Sequence, residues 1–276
     1  MANSLWQDVS PRLKRALARW PGLYRNTRRG FDIARWAARQ PHERDFEFYR
    51  YAPRRLNHVF LDVGANTGIS ALCFRMYDKS TPIVSIEPNA TLKTDLDLVA
   101  HLINSFQYHL IAAGAERGSL TLYVPCYRGT PIDGEATLER PKPEDVWWLR
   151  QNVGMPRPGE FSVIEQCVSV VPLDDFALAP AHVKIDVEGF ELEVLRGLRR
   201  TILKHRPTIL LERSRRFADV AAWLAEVAGY EPMQWQPVER ELLPLDDSHS
   251  VQNVFFVAPR RHPSYQTLER IHSHHC

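Results

Sequence analysis

Cysteine is scarce in this chain: four in 276 residues, Cys73, Cys126, Cys167 and Cys276, with no C-x-x-C pair. That spacing excludes a zinc ribbon and a disulfide framework and leaves buried or idle thiols. Long apolar runs are lacking too. No stretch approaches the roughly 20 consecutive apolar residues of a membrane-spanning helix, and the N-terminus has no apolar core of a secretory signal, so a cytoplasmic location is expected. Acidic residues are sparse at one end only. Residues 1–60 hold 13 Lys/Arg against 5 Asp/Glu, and the remainder 22 against 28, so a net charge of +2 conceals a basic segment and an acidic body. Within the basic segment, Trp6, Leu13, Leu17 and Trp20 recur at near-helical spacing with Arg12, Lys14, Arg15 and Arg19 between them. This pattern predicts an amphipathic helix lying on the domain or on a membrane surface. Residues 1–57 are therefore expected as a basic helical extension, whose partner, if it has one, is an anionic membrane or an acidic carrier.

From residue 58 the pattern changes to short, β-branched apolar runs alternating with helical segments, the signature of an α/β fold around a mainly parallel sheet. The expected strands are HVFLDV (58–63), PIVSIEP (82–88), QYHLIAAG (107–114), HVKIDV (182–187), PTILLE (207–212) and VQNVFFVA (251–258), with EPMQWQPV (231–238) a weaker seventh. Helices are expected after Gly68, after Asn89, after Gly189 and near Phe217, and the stretch ELEVLRGLRRTILKHRP is stopped at Pro207. An insertion at about 120–172 interrupts the alternation. Its flanks SLTLYVP and FSVIEQCVSVVPLDDF read as added strands around a centre rich in Pro, Gly and charge, placed to cover a site. The domain is expected over 58–259, followed by a tail, 260–276. Its His272, His274, His275 and Cys276 crowd too closely for a tetrahedral metal cage.

Ligands of open parallel sheets sit beyond the carboxyl ends of the strands. In FLDVGANTGIS (60–70), Gly64 and Gly68 permit a sharp turn and a close ligand approach, and the following helix offers free N–H groups. A dinucleotide fingerprint, G-x-G-x-x-G, is absent: Asn66 stands at the second glycine's place and the third glycine comes one residue early. Asp62, closing the strand, would repel a pyrophosphate but suits the cationic end of S-adenosylmethionine. Glu87, nineteen residues past Gly68, stands where an acidic residue binds ribose hydroxyls. Asp62, Gly64, Ala65, Asn66, Gly68, Glu87, Pro88, Ala112 and Asp186 are the expected cofactor contacts.

The second segment, VKIDVEGFELEVLRG (183–197), places Lys184, Asp186 and Glu188 on one side of a strand, costly unless they pair or reach a site. Methyl transfer to a hydroxyl needs alignment and a base. Asp186 is the first candidate, with Glu188, Lys184 and His249, in DDSHS, as further catalytic candidates. A hard divalent cation on Asp186, Glu188 and Glu212 is the second option, ranked below direct roles. Trp147 and Trp148 either stack on a sugar or anchor the insertion, anchoring being preferred.

The pairing of DVGANTGIS with VKIDVEGFELEVLRG, led into by VVPLDDF and closed by NVFFVA, resembles the FkbM family of S-adenosylmethionine-dependent methyltransferases over roughly residues 58–258. The resemblance implies a Rossmann-like, seven-stranded methyltransferase sheet with its last strand antiparallel. It also implies O-methylation of a hydroxyl on a sugar, glycolipid or secondary metabolite. Asp62, Gly64, Asn66, Gly68 and Glu87 stand where such families bind the cofactor, and Asp186 and Glu188 fall in the second motif. Two rival readings stay open. One is a degenerate methyltransferase fold that only binds; the other is a nucleic-acid methyltransferase. The acidic body and the lack of an Asn/Asp-Pro-Pro-Tyr/Phe motif speak against the latter, so no nucleic-acid partner is expected.

Overall fold

The computed structural model describes residues 11–132, 134–187, 189–246 and 251–258. Helices α1 (Pro11–Leu17), α2 (Pro21–Ala37) and the single turn α3 (Phe48–Tyr51) come first. They are followed by β1 (Val59–Val63), α4 (Ile69–Tyr77), β2 (Ile83–Ile86), α5 (Lys93–Leu102), β3 (Phe106–His109) and β4 (Ala112–Ala113). The insertion contributes β5 (Gly118–Tyr127), β6 (Thr130–Pro131), α6 (Trp147–Asn152) and β7 (Phe161–Val171). The chain then runs through β8 (Pro180–Ile185), α7 (Glu191–Gly197), α8 (Arg199–His205), β9 (Thr208–Glu212), α9 (Phe217–Ala228), β10 (Glu231–Gln236), β11 (Glu241–Pro244) and β12 (Asn253–Val257).

The main sheet has the order β11-β10-β12-β9-β8-β1-β2-β3. Strands β3, β2, β1, β8 and β9 run parallel, and β12 is antiparallel to both β9 and β10. All seven expected strands are present, the closing one antiparallel. An eighth, β11, was not expected: Arg240, at φ 57, folds the chain straight back so that Trp235 pairs with Leu242. The run read as the third strand is two pieces. Phe106–His109 completes the main sheet, whereas Ala112–Ala113 leaves it and pairs with β7. The stretch read as one long helix also breaks, after Gly197, where the backbone lies so close to Gly114 that a Cβ would sit 2.0 Å from its carbonyl oxygen.

Alternation along the strands sorts side chains onto the two faces of the sheet. Leu61, Val63, Val183 and Ile185 face α7, α8 and α9, packing on Val194, Leu195, Ile202 and Leu224. Phe60 turns the other way, stacked at 4.0 Å on Phe74 of α4. Phe46, Phe48 and Tyr49 join this second core with Phe255 and Trp235. The chain before residue 58 is therefore not wholly an appendage: its last dozen residues build one side of the sheet's core.

Over the described residues the amphipathic N-terminal stretch is also two helices, broken at residues 18–20 before Pro21, and Trp6 lies outside them. It lies on the domain. Ala18 and Tyr24 pack with Tyr127, Ile132, Trp148 and Leu149 of the insertion, and Tyr24 meets Trp148 edge-on at 5.1 Å. Arg25 and Arg29 both bind the buried Asp95 of α5. Among the described residues no helix is long and apolar enough to cross a membrane.

Candidate active site

A cleft of about 520 Å³ opens where the strand order reverses, between the carboxyl ends of β1 and β8 and beside that of β2. Both the place and the size are those of small-ligand sites in open α/β sheets. Its floor is the turn after β1. Gly64 has φ +81, and a Cβ there would lie 1.8 Å from the carbonyl oxygen of Asp186, so glycine is required by the neighbouring strand as much as by a ligand. Gly68, also at φ +81, lets α4 start against Val99 of α5. Asn66 takes a left-handed conformation, φ 49, and its Oδ1 finds no hydrogen-bond partner among the described residues.

Glu87, just past β2, forms the second wall. Its two carboxylate oxygens accept the backbone N–H groups of Asn66 at 2.7 Å and Asn89 at 2.8 Å. Burial pushes its pKa up to about 7, against the pull of those two bonds. Each oxygen keeps a lone pair for a further donor. The same residue thus pins the glycine turn and faces the cleft. Of the expected cofactor contacts, Gly64, Asn66, Glu87, Pro88, Ala112 and Asp186 line the cleft together.

Asp62, Ala65 and Gly68 do not line it, and Lys184 stays behind it. Here the expectation needs correction, and alternation explains why. Asp62 points the way of Phe60, into the layer under α4, and is fully buried. It accepts Ser85 Oγ at 3.1 Å, while its other oxygen has no hydrogen-bond partner among the described residues. Burial lifts its pKa to about 6, and Lys184, opposite it in the strand register, pulls the other way. Asp62 therefore has no surface on the cleft; its neighbours are Ser85 and Lys184. Burial disfavours the Lys184 ammonium, but Asp186, Asp62 and Glu43 together hold its pKa above the usual lysine value.

At the far end of the cleft stand Asp186, after β8, and Glu212, closing β9. Lys184 Nζ donates to Asp186 at 2.9 Å. The Asp186 and Glu212 carboxyl groups adjoin, so each shifts the other's titration, and a proton on the pair is held by Glu212 in preference to Asp186. Burial opposes the Asp186 charge, yet Lys184 and the bond from Glu212 keep it below the usual carboxylate range. Burial and the bond to Asp186 raise Glu212, against a bond from Gln252 at 3.1 Å. The arrangement is a carboxyl pair beside a lysine, suited to taking up one proton from a bound hydroxyl once the pair is fully ionised. Glu188, His249 and the residue 260–276 tail lie outside the described residues. Among those described, no group of three or more His, Cys, Asp or Glu could hold a metal ion.

Several neighbours were not foreseen. Asn253 Nδ2 donates to Glu43 at 2.9 Å and to Asp45 at 3.0 Å, bringing the segment before α3 over the buried Lys184. Burial raises both carboxyl groups, Asp45 to about 6. The insertion roofs the cleft: Leu120 and Leu122 of β5, and Gly134 with residues 136–139, line its outer side. Gln166 of β7 fastens that roof to the turn after β2, accepting from Ala90 N at 2.9 Å and donating to Asn89 at 3.2 Å. Trp148 is buried and anchors the insertion, whereas Trp147 is exposed. The signal for Glu43 was its place, just ahead of the aromatic run FEFY.

No curated protein matches the chain. Among solved structures it is similar to an FkbM methyltransferase from Methylobacillus flagellatus KT, at 18% identity and a TM-score of 0.44, over 75% of this chain and 47% of that one. The chain thus spans about half the length of that relative. It is also similar to precorrin-6Y C5,15-methyltransferase from Geobacter metallireducens GS-15, at 13% identity and a TM-score of 0.38 over 76% of this chain and 84% of that one. The C-terminal domain of the Rhodobacter capsulatus precorrin-6Y C5,15-methyltransferase gives 12%, 0.35, 75% and 82%. Residues 62–232, more than half of the chain, match the methyltransferase FkbM domain, and the chain belongs to that family.

Proposed function

We propose that this protein transfers a methyl group from S-adenosylmethionine to a hydroxyl of a sugar, glycolipid or secondary metabolite. The observation that carries the reading is one roofed cleft holding Glu87 at one end and the Asp186–Glu212 pair at the other. The residues present fit the cofactor. Glu87 retains lone pairs for ribose hydroxyls, and Asn66, whose Oδ1 has no hydrogen-bond partner among the described residues, lines the same cleft.

When bound, S-adenosylmethionine supplies an electrophilic methyl for in-line displacement by the acceptor oxygen. The chain's own task is to hold that oxygen and remove its proton. Asp186, braced by Lys184, receives the proton from the acceptor hydroxyl, and Glu212 shares it across their hydrogen bond. The roof from the insertion keeps water from the acceptor.

The test is calorimetric titration with S-adenosylmethionine and NAD in parallel, followed by a screen of hydroxylated acceptors with labelled methyl donor. Saturable binding of the first alone, and label in an alkali-stable ether, are the expected results. Absence of S-adenosylmethionine binding overturns the proposal, and binding with label only in nucleic acid overturns the acceptor class.

A further inference from the structure

Between Val9 and Phe31 there is no Asp or Glu, and seven Lys/Arg fall in that stretch. The structure divides these cations by task. Arg25 and Arg29 turn inward and neutralise Asp95. Arg12, Arg15 and Arg19 are exposed, on the side of α1 and its following turn away from Leu17 and Ala18, which pack toward the insertion. At the corner between α1 and α2, Trp20 is 63% exposed and Leu23 52% exposed. A large aromatic and a branched aliphatic side chain held in water, in a stretch that also exposes three arginines, is an arrangement that folding alone does not call for, since neither side chain belongs to a core cluster.

We propose that this corner is a docking surface for an anionic lipid bilayer. Trp20 and Leu23 enter the headgroup boundary while Arg12, Arg15 and Arg19 meet the lipid phosphates. The alternative polyanion, nucleic acid, has the charge but offers no hydrocarbon for Leu23, and it is Leu23 and Trp20 together that favour lipid. The site packs on the element that covers the cleft: Tyr24, next to Leu23, meets Trp148 of the insertion, whose residues 136–139 roof the cleft. Docking here would hold the cleft at a fixed height above a membrane, where an amphiphilic acceptor resides.

The experiment is co-sedimentation of the full chain with vesicles of phosphatidylcholine alone and with about one-third phosphatidylglycerol. Binding to the anionic vesicles only, weakened by salt, is expected. Replacing Arg12, Arg15 and Arg19 by Gln should lower the partition coefficient about a hundredfold, and Trp20→Ser with Leu23→Ser about tenfold or more. Trp20→Phe should retain binding while abolishing most of the fluorescence quenching by brominated lipid, a readout that does not depend on the serine variant's stability. Equal binding to both vesicle types, quenching unchanged in Trp20→Phe, or tighter salt-sensitive binding to duplex DNA or RNA than to vesicles overturns the proposal. The outcome is independent of whether the cleft transfers methyl groups.

Discussion

At Glu87, burial and function pull in opposite directions. In the proposed role the carboxylate faces a ligand, yet it is 6% exposed and its pKa is raised from 4.5 to about 7. Between those values the folded state binds more protons than the unfolded chain, so the stability owed to this group is complete below pH 4.5 and lost as the pH rises through 7. Glu87→Gln removes that titration. The variant should gain about 2–3 kcal/mol relative to the parent between pH 5 and pH 8, read from urea unfolding at both values. It should also bind S-adenosylmethionine at least about tenfold more weakly, because an amide cannot accept from two backbone N–H groups and two ribose hydroxyls. A stability difference that stays constant with pH would show that Glu87 titrates as in water. Gly64 carries a different lesson. That a glycine stands there is plain in DVGANTG, but its reason, the Asp186 carbonyl beside it, belongs to a strand more than a hundred residues away. Gly64→Ala should therefore cost more than about 3 kcal/mol and shift the end of β8 as well as the turn, seen as a lowered Tm and lost cofactor binding together.

Between elements, the Asp186–Glu212 pair is assembled from the ends of β8 and β9 and steadied by β12. Asn253 lies opposite Glu212 in the register and Gln252 donates to Glu212. Asp186 was legible because VKIDVEG closes a buried strand with charge. Asp62 was misread because its position at a strand's end says nothing about which face it takes, and one residue of alternation put it under the sheet. The carboxyl pair was hidden too, since it depends on two strands becoming neighbours. If Asp186 is the base, Asp186→Asn should lower kcat by about a hundredfold or more while leaving the dissociation constant for S-adenosylmethionine within a few-fold. Glu212 is held above the usual carboxylate range, so the parent's kcat should climb with pH as the pair loses its last proton and Asp186 is freed. Glu212→Gln removes that proton, and its profile should be flat over the same interval. A parent profile already flat from pH 5 to pH 8 would remove Asp186 and Glu212 from proton transfer.

For the molecule as a whole, the parallel sheet and its helices followed directly from apolar periodicity, and the two family motifs fell at the strand ends that build the cleft. The opposite holds for the first 57 residues, whose composition drew attention to charge. Their decisive residues are apolar: Phe46, Phe48 and Tyr49, packed against Phe60, Phe74, Phe255 and Trp235. A short aromatic run without strand or helix periodicity gives no hint of which surface it covers, and only the fold shows that it closes the second core. Burying each of these rings contributes about 1.5–3 kcal/mol, so the three together approach the whole net stability of a domain, about 5–15 kcal/mol. Helices α1 and α2 stand differently: they pack through Ala18 and Tyr24 and the Asp95 ion pairs, at the margin of the structure. A chain beginning at Pro41 should therefore fold with a lowered Tm and keep its cofactor affinity, because Glu43 and the aromatic run are intact. A chain beginning at His58 should lack a cooperative thermal transition and bind nothing. Circular-dichroism melts with calorimetry on both would decide it: a cooperative transition in the shorter chain would place the domain boundary at residue 57 after all.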